Sequence, residues 1–225
     1  MNLLYNICSN TLWLNLRIWT KYNVINKKFI PSRGTLLVIS NHQSNIDAGL
    51  LGASINRRLR WPAKIELFQN PLMGRFLRSY GAFPVKREAV DINSFRNMKS
   101  ILTEKNGALA MFPEGTRSTK GLIKAKQGAA KIANILSPTI LPVGITGTSH
   151  LEGLFRVFNP TGNITVTIGK PFKINPLNKN KSGDENLFEN ITTEMMRRIA
   201  HLLPQEKRGV YLTESDENFT LTSEV

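Results

Sequence analysis

Short apolar runs alternating with helical patterns do most to narrow the folds open to this chain. Residues 35–40, 108–112, 139–145 and 164–168 are such runs, rich in Leu, Ile and Val. Their length and composition read as strands buried in a sheet. Residues 82–85 are a weaker candidate, placed at an edge or a strand end because Pro84 has no N–H to donate. Helical spacing recurs over 46–54, 66–79, 91–105 and 124–136, and a last amphipathic helix spans 187–203 before Pro204. Strands alternating with helices predict an α/β fold: a twisted, largely parallel mixed sheet flanked by helices. In such sheets function gathers beyond the C-terminal ends of the strands.

Composition narrows the chemistry. The 225 residues fit one domain, and 41% hydrophobic against 20% charged residues excludes a wholly disordered chain. A single cysteine, Cys8, excludes a disulfide framework and a cysteine-based zinc site. Three histidines, His42, His150 and His201, make a polyhistidine metal centre a poor fit. The formal charge is +14. Four of the sixteen acids (Glu214, Asp216, Glu217 and Glu224) lie in the last twelve residues, so 1–212 set thirty cations against twelve acids. Such a body favours polyanions: nucleic acid, an anionic membrane surface or phosphorylated substrates.

Residues 3–22 form a further helical candidate. Leu4, Ile7, Cys8, Leu12, Leu14, Leu16, Ile18 and Trp19 share one broad face, with Asn2, Asn6, Asn10, Arg17, Thr20 and Lys21 opposite. A helix lying in a membrane interface and a helix packed on its own domain both fit. No run is long and apolar enough for a spanning helix, and no cation precedes Arg17 as a secretory signal requires. The expected organisation is an amphipathic membrane-interface helix at 1–26, a main domain at 27–212 and an acidic, disordered tail at 213–225. The expected location is the cytoplasm, at the cytoplasmic face of the membrane if the helix binds lipid.

Three polar clusters follow strand candidates. In Asn41-His-Gln-Ser-Asn-Ile-Asp47 a strand gives way to a helix, placing His42 in the turn and Asp47 in the first helical turn. A carboxylate there can hold one imidazole nitrogen and leave the other as a base; a helix cap beside a turn histidine is the plainer alternative. No G-x-S-x-G occurs, so the nucleophile of such a base would be a substrate hydroxyl. In Phe112-Pro-Glu-Gly-Thr-Arg-Ser118, Gly115, Thr116, Arg117 and Ser118 suit an anion cradle or an ordinary turn. Glu114 in that loop can fix Arg117, bind a substrate hydroxyl or order the loop. In Gly81-Ala-Phe-Pro-Val-Lys-Arg87, Arg87 either reaches a phosphate or is a solvated surface arginine.

Taken together, these blocks and Ile140-Leu-Pro-Val-Gly144 resemble the glycerolipid acyltransferases, specifically the bacterial 1-acyl-glycerol-3-phosphate acyltransferases. Lys64, Lys126-x-Gly128 and Ile168-Gly-Lys-Pro171 extend the likeness over about 35–175. The resemblance implies that His42 deprotonates the free hydroxyl of lysophosphatidic acid while Asp47 orients it. The hydroxyl then attacks an acyl thioester directly, with no acyl-enzyme. It places Arg87, Glu114, Gly115, Thr116, Arg117 and Ser118, with Lys64 and Lys126, on the substrate side, and Pro142 toward the acyl donor. The donor is acyl-CoA or acyl carrier protein, and no metal or redox cofactor is implied. The partners are an anionic membrane surface and these substrates.

The main alternative is a related O-acyltransferase that takes another lysolipid or glycerol 3-phosphate as acceptor; other classes fit less well. A nucleic-acid-binding protein would suit the charge, but the chain lacks a zinc-finger spacing, an aromatic RNA-binding block and a basic recognition helix. A non-catalytic lipid binder needs no base. Ser149 and His150 diverge as neighbours in an extended segment, His201 reads as a packing or surface residue, and Met195 and Met196 as core or membrane-facing contacts.

Overall fold

The computed structural model describes residues 3–86, 92–151, 153, 156, 158–176, 186–212 and 219–225. The expected strands are all present: β2 (Leu36–Ser40), β4 (Ala82–Val85), β5 (Ala108–Met111), β6 (Thr139–Thr146) and β7 (Asn163–Ile168). Four more were not anticipated: β1 (Lys21–Ile25), β3 (Trp61–Lys64), β8 (Phe172–Ile174) and β9 (Thr222–Glu224). The helices are α1 (Leu3–Trp19), α2 (Asp47–Ser54), α3 (Pro71–Ser79), α4 (Ile92–Thr103), α5 (Gly128–Leu136) and α6 (Leu187–Ala200).

The main sheet runs β1-β7-β6-β2-β5, with β8 and then β9 leading off β6. β1 is parallel to β7, and β2 is parallel to both β6 and β5; β6–β7, β6–β8 and β8–β9 are antiparallel. β3 and β4 form a separate parallel pair, with Arg60 bridging to Leu109 of β5. Pro84 thus sits on a strand with one ladder partner, as its missing N–H requires.

Alternation along β2 makes a three-layer domain. Leu36 and Val38 face α1 and α2, while Leu37 and Ile39 face the layer of α4, α5 and α6. All four side chains are fully buried. Met195 and Met196 of α6 belong to the second core, which settles them as packing residues.

Two segment boundaries need correction. The N-terminal helix stops at Trp19, and 21–25 forms a strand of the main sheet rather than the end of an anchor. The tail expected to be disordered contributes β9 through 222–224, while 213–218 lie outside the described residues. Glu194 holds that end down, accepting hydrogen bonds from Thr220 N, Leu221 N and Thr222 Oγ1. Its carboxylate supplies an interaction that a reading of net charge could not foresee. The helix expected over 66–79 is also divided. A 3-10 turn covers Ile65–Phe68, then Asn70 caps α3 by accepting from Leu72 N and Met73 N, with Pro71 at its first position.

α1 does two things at once. Tyr5, Ser9, Leu12 and Leu16 are buried against the domain. Fully burying one leucine contributes roughly 1.5–3 kcal/mol, so this face ties α1 into the fold. Leu3, Leu4, Ile7, Leu14, Ile18 and Trp19 remain exposed. The broad face expected from the helical wheel is therefore split between core and surface. Among the described residues, no helix is long and apolar enough to cross a membrane.

Candidate active site

The loops after β6, β2 and β5 converge, because those strands are neighbours in the order β6-β2-β5 and run parallel. β2 ends at Ser40, and Asn41 continues its pairing with a side chain: Nδ2 donates to Ile145 O at 2.8 Å and Oδ1 accepts from Ile145 N at 2.7 Å. The amide imitates a peptide group and fixes where the chain leaves the sheet. Ser44 Oγ donates to Leu151 O, tying the same loop to the segment after β6.

His42 Nδ1 lies 2.9 Å from Asp47 Oδ2. That oxygen also accepts from Gln43 N at 2.6 Å and Ser44 N at 2.7 Å, and Thr148 Oγ1 donates to Oδ1 at 2.8 Å. Asp47 is completely buried, and the His42 side chain keeps 13% exposure. The helix N-cap is Ile46, without a side-chain cap, so the plain capping role for Asp47 gives way to a carboxylate that gathers the loop around the histidine. The Phe112 ring stacks on the imidazole at 4.0 Å and 14°. One nitrogen of His42 is engaged and the ring plane is held, so Nε2 is the nitrogen that can serve a reacting group.

The block after β5 wraps the same histidine. Glu114 Oε1 accepts from His42 N and Oε2 from Ile123 N, both at 3.0 Å. Ser118 N donates to His42 O at 2.8 Å. These bonds decide among the roles open to Glu114: it is a strut joining the 41–47 loop to the 122–126 loop. Burial pushes its carboxyl up to about 7, against the pull of the two N–H donors. Gly115 has φ 70, and the Lys126 side chain crosses it where a Cβ would stand 3.1 Å from Cε. Thr116 and Arg117 are exposed, and Ser118 Oγ donates to Gly121 O.

Other expected residues fall differently. Lys64 is exposed at the end of β3. Pro142 is buried inside β6, with its ring against Gly169, so it packs the sheet. Arg87 lies outside the described residues. His150 Nε2 is within hydrogen-bond distance of Thr161, and His201 meets Phe219 edge-on. Asn41 was quoted in its motif without a role, and Thr148 was not singled out from sequence. The available signal was position: Asn41 directly follows β2 and Thr148 lies two residues past β6, strands whose ends meet.

An apolar cavity of about 500 Å³ opens beside the 41–47 loop, lined by Asn45 and Ile46, by Ile7 and Cys8 of α1, and by Met73 and Phe76 of α3. A more polar cavity of about 360 Å³ lies near α6, among Lys124, Glu189 and Tyr211, and includes none of the clustered motif residues.

Glu114→Gln tests the strut. A glutamine keeps one acceptor oxygen but turns an NH2 toward the second N–H donor. Because the native carboxyl titrates above its ordinary value, native Glu114 binds its proton more tightly than the unfolded chain does. Its contribution to stability therefore falls as pH rises from about 4.5 to about 7. The variant, lacking that titration, should gain in Tm relative to wild type between pH 5 and pH 8, while its kcat is lower. A constant Tm difference across that range would contradict the buried, titrating carboxyl.

A family model described as Acyltransferase matches residues 21–146, and the chain belongs to that family. The 1-acyl-sn-glycerol-3-phosphate acyltransferase of Bacillus subtilis is 31% identical over 169 residues, covering 75% of this chain and 82% of that one. The enzyme of the same name from Streptococcus pneumoniae is 34% identical over 136 residues, 60% of this chain and 49% of its own length. The crystal structure of the 1-acyl-sn-glycerophosphate (LPA) acyltransferase of Thermotoga maritima shares the fold, with TM-score 0.64 and 24% identity over 87% of this chain and 79% of that one.

Proposed function

We propose that the protein transfers a fatty acyl group from acyl-CoA or acyl carrier protein to the free hydroxyl of 1-acyl-glycerol-3-phosphate, giving phosphatidic acid. The observation that carries this reading is the 2.9 Å His42–Asp47 contact, in a loop whose Asn45 and Ile46 line an apolar cavity and in a chain whose relatives bear that activity in their names. His42 Nε2 takes the proton of the acceptor hydroxyl as its oxygen attacks the thioester carbonyl carbon. Asp47 supports the imidazolium that forms. The tetrahedral intermediate collapses, the C–S bond breaks, and the thiolate leaves with the proton from His42. No acyl-enzyme is needed.

Arg117, Thr116, Gly115 and Ser118 receive the acceptor phosphate, with Lys126 and Lys64 as further cations and Arg87 assigned the same role from its motif. Glu114 serves this group by holding the loop. The apolar cavity takes an acyl chain. The exposed apolar side of α1 rests on an anionic membrane at its cytoplasmic face, where lysolipid enters, and the +14 charge favours that contact.

Two measurements bear on these assignments. Arg117→Ala should raise the acceptor KM about tenfold to a hundredfold, as loss of a charge-assisted hydrogen bond predicts, with the donor KM little changed. A raised donor KM alone would move Arg117 to the CoA side. Replacing Leu4, Ile7 and Leu14 together with Gln should reduce flotation with anionic vesicles at unchanged Tm. Full flotation would remove α1 from the membrane contact.

A further inference from the structure

The Asp47 carboxylate is served unequally. Oδ2 accepts three N–H bonds, whereas the described partner of Oδ1 is Thr148 Oγ1 at 2.8 Å. Both residues are completely buried, so water does not substitute readily for that hydroxyl. Thr148 lies two residues past the end of β6, in the segment that Ser44 also grips through Leu151.

The hydroxyl faces a second oxygen, Gln43 Oε1, at 3.3 Å. It has one proton for two acceptors. Turning the buried Gln43 amide end for end removes that conflict at Thr148: Nε2–H then donates to Thr148 Oγ1, and Oγ1–H donates to Asp47 Oδ1. The result is a directed chain from Gln43 through Thr148 into the carboxylate.

We propose that Thr148 is a positioning residue of the acyl-transfer site, its hydroxyl locking the rotation of Asp47 so that Oδ2 stays on His42 Nδ1. The proposal rests on the reading of His42 as the general base. Thr148 touches neither reacting atom and acts through Asp47. If the carboxylate turns, His42 loses both its tautomer control and its support when charged. The effect belongs in kcat, because substrate contacts are untouched.

The test compares the full-length protein with Thr148→Val, which keeps the shape and removes the hydroxyl, and Thr148→Ser, which restores it. Turnover is measured with oleoyl-CoA and lysophosphatidic acid in mixed micelles. Thr148→Val should lower kcat about tenfold to a hundredfold, the loss expected for one hydrogen bond to a charged group, with the acceptor KM held. Thr148→Ser should recover most of that loss. A substrate-free readout accompanies it: the downfield proton resonance of the His42 Nδ1–H, assigned by its absence in His42→Ala, should move in the valine variant and return in the serine variant. Wild-type kcat in Thr148→Val, a kcat loss that serine fails to restore, or an unmoved resonance would each overturn the proposal. If the wild-type protein acylates no acceptor, the functional reading fails while the resonance still decides the role of Thr148.

Discussion

His42→Ala should lower kcat by about 10²–10⁴-fold, the usual contribution of a positioned general base. The fold should survive. The bonds that anchor residue 42 to its surroundings run through its backbone: N donates to Glu114, and O accepts from Ser118. What alanine removes is the ring, with its contact to Asp47 and its stacking on Phe112. An unchanged acceptor KM would place the loss in the chemical step. A variant that keeps more than about a tenth of wild-type kcat would remove His42 from the role of base.

Asp47→Asn separates charge from geometry. The asparagine oxygen can remain where Oδ2 stands, accepting from His42 Nδ1, Gln43 N and Ser44 N, while its NH2 turns to the Thr148 hydroxyl, which can accept. The loop should therefore keep its shape. The negative charge that supports the imidazolium is lost, and kcat should fall by about 10²–10⁴-fold with the fold intact. A variant with near-native turnover would reduce Asp47 to a residue that organises the loop. A variant that fails to fold would show the charge to be structural, and His42→Ala would then carry the catalytic assignment alone.

The central strands were legible because β2, β5 and β6 are apolar on both faces, a signal independent of their partners. β1 and β9 were not. Lys21–Ile25 alternates exposed with half-buried residues and borrows its order from β7, while Thr222–Glu224 depends on β8 and on the Glu194 carboxylate. Such strands are made by tertiary contacts, which a local pattern does not carry. The α1 wheel had the right apolar residues but could not divide them. Tyr5 and Ser9, neither on the expected face, turn out to be buried with Leu12 and Leu16.

At the site, the His42–Asp47 pair was visible from its spacing, since a strand-to-helix turn brings five residues' separation within hydrogen-bond reach. The strut role of Glu114 was one of three chemically open choices, settled by the positions of two N–H groups distant in sequence. Thr148 lies 101 residues from Asp47, and only the parallel pairing of β6 with β2 brings them together. Pro142, placed toward the donor by motif resemblance, lies in β6 with its ring close to Gly169, whose N–H donates to the Pro142 carbonyl.

The most direct measurement is thiol release from oleoyl-CoA by the purified protein in mixed micelles, with lysophosphatidic acid, with other lysolipids, with glycerol 3-phosphate and with no acceptor. Wild type and His42→Ala are run side by side, and acyl carrier protein thioester serves as a second donor. Release should require lysophosphatidic acid and vanish in His42→Ala. Release that needs a different acceptor would contradict the proposed substrate, and release that persists at the wild-type rate in His42→Ala would contradict the proposed mechanism.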